Sequence, residues 1–211
     1  MQGRIPGPYP EGLTVFETMR AEADGNIRLW PLHRARLRRG CAAVGFRVDE
    51  GALARALVAL PRGRPLRARL AVDAAGALAL THAPLPPNPP FWRVVLAEER
   101  LRSDDPWLRI KSSQRGVYDR ARAMLPPGED EALLLNERGE LCEGTITSLF
   151  VAAEGLLLTP PLSSGLLPGV LRESLLAVGR AREAVLSPAD LAGREVFCGN
   201  ALRGLIPAQL G

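Results

Sequence analysis

Of the 27 basic side chains in this 211-residue chain, 26 are arginines and one, Lys111, is a lysine. A reaction that needs a primary amine on a side chain therefore has one position to use. Lys111 lies in RIKSSQRG, with Arg109 and Arg115 close in sequence. Neighbouring cations and partial burial both disfavour the ammonium form, which frees the amine as nucleophile or base. Such a lysine could hold an aldehyde cofactor as a Schiff base; read on its own it fits a surface lysine in an arginine-rich chain equally well. A second element is the run Ser163 to Arg172 (SSGLLPGVLR), where Pro168 and Gly169 open a helix whose first backbone N–H groups suit a phosphate, although many ordinary helices begin this way. A third is Glu143 in LCEGTITSLFV, a carboxylate at the edge of an apolar strand pair. Facing water it is an ordinary turn residue, and beside a cofactor it could keep a ring nitrogen protonated.

Other chemistries find no support. His33, His82, Cys41, Cys142 and Cys198 form no metal-ligand spacing, so a zinc or haem site is not expected. The only lysine is preceded by LRI, which excludes a phosphate-binding P-loop, and there is no G-x-G-x-x-G or G-x-S-x-G. The odd cysteine count implies no disulfide framework, and a reducing cytoplasmic setting is expected. The opening MQGRIPGPYPEG lacks the apolar core of a signal peptide, and no window approaches the ~18 apolar residues of a membrane span. A net charge of +4 and a pI of about 9.5 suggest an anionic partner without choosing between nucleic acid and a small phosphorylated or carboxylated ligand.

These residues must be positioned by regular elements, and 46% hydrophobic residues suffice for a core. Leu13 to Arg20 reads as a strand, with Ile27 to Trp30 as its hairpin partner across Asp24-Gly25-Asn26. Helices follow from Pro31 to about residue 44 and from Glu50 to Leu60, then strands Leu66 to Val72 and Ala77 to Thr81. This gives a small α+β unit over 1–81. The segment 82–90, HAPLPPNPP, carries five prolines and reads as a stiff linker. A larger unit over 91–211 contains strands from Phe91 to Ala97 and Glu131 to Asn136, and a short one at Leu141 to Cys142. Thr147 to Ala152, Leu156 to Thr159, Glu195 to Cys198 and Leu205 to Ala208 are further strands. Its helices run from Arg115 to Leu125 and from Pro168 to about Arg182.

Taken together these segments resemble the class IV aminotransferase family, the fold-type IV pyridoxal-phosphate enzymes. The match runs through Glu143, Thr145, Ser148, Leu149 and Phe150, then Leu157 and Thr159, then Leu167, Gly169, Val170 and Arg172; Ser148 stands where Asn is usual. FETMR (Phe16 to Arg20), LHRARL (Leu32 to Leu37) and KSSQR, with Gln114 for the usual Asn, agree in order. The resemblance implies an α+β fold of two subdomains, a small α/β sandwich and a larger α/β pseudo-barrel, with pyridoxal 5'-phosphate at their junction. It makes Lys111 the Schiff-base lysine and Glu143 the partner of the pyridine nitrogen. Arg36 would bind the phosphate together with Gly169 and the backbone N–H groups of Val170 and Leu171, with Asn200 a polar contact nearby. His33, one helical turn from Arg36, is expected to orient or pack rather than to catalyse.

Within the family, FCGNALRGLIP at the end of the chain resembles the 4-amino-4-deoxychorismate lyases. The absence of tyrosine at Arg115-Gly116, and Thr18 near the reacting centre, point the same way. The implied reaction yields p-aminobenzoate and pyruvate from a small dicarboxylate in folate biosynthesis, with Arg67, Arg69 and Arg203 as candidates for its carboxylates. A branched-chain or D-amino-acid aminotransferase is the enzymatic alternative. A basic nucleic-acid module using Arg34, Arg36, Arg38, Arg39, Arg62, Arg64, Arg67 and Arg69 is the non-enzymatic one, although aromatics are too few to interleave these runs. No nucleic-acid or membrane partner is expected, and relatives of this kind imply a homodimer.

Overall fold

The structure, a computed structural model, describes residues 4–211; the first three residues of the Pro/Gly-rich opening lie outside the described residues. The chain forms two compact units. The first holds the described residues through Pro87 together with Ile110–Gln114, and the second holds Asn88–Arg109 and Arg115–Gly211. Lys111 thus belongs to the N-terminal unit although it lies well beyond the prolines in sequence.

In the first unit, β1 (Thr14–Ala21), α1 (Trp30–Val44), α2 (Glu50–Val58), β2 (Leu66–Asp73) and β3 (Leu78–Pro84) build an antiparallel sheet of order β1-β2-β3 beside the helices. The partner of β1 is β2 along its whole length, and Ile27 contributes only an isolated bridge to Ala21. The expected hairpin strand at Ile27 to Trp30 does not form. Leu29 adopts a left-handed conformation (φ 57°) and, with a proline in the first turn, launches α1 at Trp30. Asp49 caps α2 by accepting the Ala52 N–H at 2.9 Å. The strand β3 runs through His82, Ala83 and Pro84, which sequence alone places in the linker; it lies at the sheet edge, where a missing N–H costs no ladder bond.

Alternation along β1 sends Val15, Glu17, Met19 and Ala21 inward, all almost fully buried. The helix α1 comes so close that a Cβ at Gly40 would meet Val15 Cγ1 at 2.9 Å. The other edge of β1 is covered by the Lys111 segment: Phe16 N–H donates to the Lys111 carbonyl and Ser113 N–H to the Thr14 carbonyl, both at 2.9 Å.

The second unit comprises β4 (Trp92–Leu101), a 3-10 turn (Pro106–Arg109), α3 (Gly116–Ala123), β5 (Glu131–Asn136), β6 (Leu141–Gly144), β7 (Ser148–Ala153), β8 (Leu156–Thr159), α4 (Val170–Ala177), β9 (Ala181–Glu183), β10 (Val196–Asn200) and β11 (Gly204–Leu210). Strands β10-β11-β4-β5-β6-β7 close into a six-stranded barrel through a β7–β10 pairing, with β8 and β9 continuing from β7. The helix expected to reach about Arg182 stops at Ala177. Gly179 turns the chain at φ 68°, and Ala181–Glu183 becomes a strand parallel to β8.

The barrel interior is filled by Val94, Leu133, Leu135, Leu141, Leu149, Val151, Val196 and Ile206. The alternate residues face outward: Ala132 and Leu134 pack with Ala121 of α3, and Phe150 packs with Leu171 and Leu175 of α4. No helix among the described residues is long and apolar enough to cross a membrane. The three cysteines are buried and free.

Candidate cofactor site

On the barrel, the decisive local feature is a bulge in β6. Leu134 pairs with Glu143, but the next residue, Leu135, pairs with Leu141, so Cys142 is extra. Strict alternation from Leu141, which faces the interior, would aim Glu143 inward as well. The additional residue re-aims Glu143 to the outer face, where Leu134 and Cys142 also point. There its Oε1 accepts the Tyr118 hydroxyl at 2.6 Å and the Leu167 N–H at 2.9 Å, and the residue is buried.

The same outward row continues across β7 and β10, with Glu143 opposite Ser148 and Ser148 opposite Gly199. Small side chains here let α4 lie against the strands. A Cβ at Gly199 would meet Leu171 Cδ2 at 2.8 Å, and one at Gly169 would overlap Ser148 Oγ. Gly169 is the N-cap residue of α4 and brings no side-chain cap, so the first-turn N–H groups of Val170 and Leu171 have no intrahelical acceptor. An uncapped helix N-terminus thus stands over the row that carries the buried carboxylate, an arrangement that suits an anion.

Two residues that sequence reasoning missed hold this region together. Glu131, fully buried at the start of β5, folds the β6–β7 turn around its carboxylate. One oxygen accepts the Thr145 N–H at 2.9 Å and the Thr145 hydroxyl; the other accepts the Ile146 N–H at 3.1 Å and the Thr147 hydroxyl at 2.9 Å. The second is Tyr118, three residues beyond Arg115. A charged residue opening an otherwise apolar strand was the available signal for Glu131, whereas Tyr118 needed the fold. Asn200 spends its side-chain carbonyl on the Leu202 and Arg203 N–H groups and donates to the Ile146 carbonyl at 3.2 Å, so it secures the two turns beside α4.

In the N-terminal unit the sheet face opposite α1 carries the other candidates. The register places Thr18 opposite Arg69, and Arg20 opposite Arg67, on the face that also bears Phe16. The Arg69 guanidinium stacks 3.5 Å from the Phe16 ring centroid, and Lys111 Nζ lies over that ring at 4.9 Å. Lys111, Thr18, Arg67 and Arg69 are therefore brought to one face.

Arg36 is buried on the other side of this sheet, where its Nε and Nη2 donate to the two oxygens of Glu17 at 2.8 and 2.6 Å. His33 Nδ1 shares a hydrogen bond of 2.7 Å with Glu17, which fixes the carboxylate from a third direction. Arg36 is thereby removed from any basic surface, and Arg34 and Arg38 pair with Glu50, so the arginine run of α1 is not a free cationic stripe. Arg203 is engaged in its own unit, with Nη1 on Asn88 at 3.1 Å and its guanidinium 6.0 Å from the Trp92 ring.

The family model for amino-transferase class IV matches residues 14–210. The chain belongs to this family. Class IV aminotransferases depend on pyridoxal phosphate, and so does this member. Among solved structures, a Mesorhizobium loti protein provisionally described as an amino-acid aminotransferase is 41% identical, with a TM-score of 0.88 over 94% of this chain and 100% of that one. The 4-amino-4-deoxychorismate lyase of Pseudomonas aeruginosa is 26% identical, with a TM-score of 0.78 over 99% of this chain and 89% of that one. The Escherichia coli branched-chain-amino-acid aminotransferase matches at 32% identity over 88 residues, 39% of this chain and 28% of that protein. A probable branched-chain enzyme of Thermotoga maritima matches at 38% over 53 residues, 25% of this chain and 19% of that protein, so these curated matches span less than a third of the relatives' length.

The residues of this class IV member fit the cofactor on structural grounds. In the second unit a buried carboxylate on the barrel face answers a protonated ring nitrogen and the glycine-flanked start of α4 answers a phosphate; in the first unit Lys111 is the one side-chain amine of the sequence. Gly169→Ala tests the phosphate end: the added methyl must displace Ser148 or the first turn of α4. Pyridoxal-phosphate affinity, measured by equilibrium titration of the apoprotein, is expected to fall about tenfold or more, as for the loss of hydrogen bonds to a charged group. Unchanged affinity would remove α4 from the phosphate site.

Proposed function

We propose that this protein is a pyridoxal-phosphate-dependent lyase that converts 4-amino-4-deoxychorismate to p-aminobenzoate and pyruvate. The observation that carries this reading is the single sheet face bearing Lys111, Thr18, Arg67 and Arg69. Two arginines two residues apart on one strand stand about 7 Å from each other and suit a substrate with two separated carboxylates. The Asn200-Ala201-Leu202 segment supports the same choice.

When bound, the cofactor supplies an electron sink for the carbon that carries the substrate nitrogen. Lys111 Nζ would be the group that holds the cofactor's aldehyde and the base that would take the proton from that carbon. Glu143, which accepts the Tyr118 hydroxyl and the Leu167 N–H, would hold the ring nitrogen's proton in place. The first turn of α4 would bind the phosphate with its N–H groups, while Arg36, buried with Glu17 and His33 on the α1 side of the sheet, holds in place the strand that carries Thr18. Arg67 and Arg69 hold the carboxylates, and Thr18 presents a hydroxyl beside the leaving enolpyruvyl oxygen. Assembly as a homodimer and a cytoplasmic location belong to the same proposal.

One specific observation favours a second reading, an amino-acid aminotransferase: the 41% identity to the Mesorhizobium loti protein along the whole of that chain. Product analysis separates the two. Incubation of the holoenzyme with 4-amino-4-deoxychorismate is expected to release p-aminobenzoate and pyruvate in equal amounts without a keto-acid acceptor. Amino-group exchange between amino and keto acids, with no p-aminobenzoate formed, would overturn the lyase reading. A purified protein that stays colourless after incubation with pyridoxal phosphate would overturn both.

A further inference from the structure

We infer that Tyr118 is a positioning residue for the cofactor's ring nitrogen, acting through its hydrogen bond to Glu143. The inference rests on the proposed role of Glu143 and goes beyond it, by naming the group that keeps this carboxylate an acceptor of the ring proton rather than its owner.

Tyr118 stands on α3, three residues after Arg115, whose guanidinium lies 5.4 Å from the phenol ring centroid. Val117 and Tyr118 also pack against the outward-facing barrel cluster of Leu134 and Cys142, so the phenol is held by its ring as well as by its hydroxyl. The hydroxyl donates to Glu143 Oε1 at 2.6 Å, a length typical of a bond to an ionised carboxylate. The same oxygen receives the Leu167 N–H at 2.9 Å, so two donors from different elements converge on it. Burial first, and the Glu143 charge second, push the phenol well above its ordinary pKa, so Tyr118 stays protonated and always donates.

Other charged and titratable groups also lie around Glu143. Arg109 from the 3-10 turn feels its charge, while itself donating to the Leu166 carbonyl at 3.2 Å. Cys142 beside it is a buried thiol pushed up to about 12, first by burial and then by Glu143, and it stays neutral. Arg172 lies beyond, engaged with the Pro160 carbonyl and Glu183. Tyr118 is thus a neutral side-chain donor on Glu143 Oε1, and one that a single substitution can remove.

A buried carboxylate that loses a donor becomes more basic. In Tyr118→Phe the proton shared with the ring nitrogen moves toward Glu143, and the ring loses part of its capacity to take up electrons. The cofactor phosphate is untouched, so binding persists while the proton-abstraction step slows.

The experiment uses holoenzyme reconstituted with pyridoxal phosphate labelled with 15N in the ring, in four forms: wild type, Tyr118→Phe, Glu143→Gln and the double variant. The expected result is a protonated ring nitrogen in the wild type and a shift toward the unprotonated resonance in Tyr118→Phe. With it should come a loss of about tenfold or more in kcat, with KM changed little, as for the removal of a hydrogen bond to a charged group. In the Glu143→Gln background, Tyr118→Phe is expected to have almost no further effect. An unshifted resonance in Tyr118→Phe, or an equal loss in both backgrounds, overturns the inference and leaves the cofactor assignment standing. A wild type that binds no cofactor overturns the inference together with the proposed function.

Discussion

Lys111→Ala removes the visible absorbance of the cofactor-bound protein and lowers turnover by at least about 10²–10⁴-fold, the range for loss of a positioned general base. Loss of the covalent attachment adds to that. Lys111→Arg is expected to behave in the same way, because a guanidinium keeps the charge but is neither a nucleophile nor a base at neutral pH. The structure gives this replacement little reason to unfold the protein. Lys111 is only partly buried, and its carbonyl, which the replacement keeps, accepts the Phe16 N–H at the edge of the sheet. Absorbance spectra, melting curves and product assays on the same preparations check this. A folded Lys111→Ala protein with wild-type turnover would overturn the proposed function.

The second large effect is on stability. Glu17→Gln is expected to destabilise the N-terminal unit by about 3–5 kcal/mol, the range for removing one partner of a buried ion pair. Glu17 is fully buried, and its carboxylate is held from one side by Nε and Nη2 of Arg36 and from another by His33. The amide cannot accept all three bonds, and Arg36 keeps a charge it cannot shed. Thermal unfolding should register a fall of roughly 10 °C.

The same cluster sets an acid limit. Burial raises the Glu17 carboxyl, but Arg36 and His33 outweigh it and bring the group from 4.5 to about 2. A folded-state pKa lowered in this way contributes stability that is complete above pH ~4.5 and is lost as the pH falls through about 2. The contribution is about 3 kcal/mol. Glu137 and Glu140 are lowered in the same way, but Glu137 is exposed and Glu140 lies at the surface, both screened by solvent, so they contribute little. Denaturant melts of wild type and Glu17→Gln should therefore converge between pH 4.5 and 2; a gap that stayed constant would show that the carboxylate charge does not hold this unit.

Much of this molecule was legible before any coordinates. The helices α1, α2 and α3 and most strands follow from apolar spacing, Pro31 and the turn glycines, all of which act within a few residues of themselves. The errors share a cause. The residues Ile27 to Trp30 read as a strand because local pattern cannot see that β1 already has a partner in β2, nor that Leu29 turns the chain into α1. His82 to Pro84 read as linker because proline composition does not reveal that these residues lie at an edge, where proline is tolerated. The helix after Gly169 was drawn too long because Ala181–Glu183 becomes a strand only through pairing with β8.

The sequence by itself determined the inventory of the site: one lysine, hence one possible amine; a Pro-Gly helix start; and an acidic residue in an apolar strand. Residue chemistry needs no fold to be stated. Only the tertiary structure decided how those groups are aimed. The bulge at Cys142 turned Glu143 out of the barrel interior and toward Tyr118 and α4, and β1 gave Arg36 a buried carboxylate instead of a surface. Both outcomes depend on pairing register and on burial between segments distant in sequence. In a strand of period two, one extra residue reverses every direction that the pattern predicts.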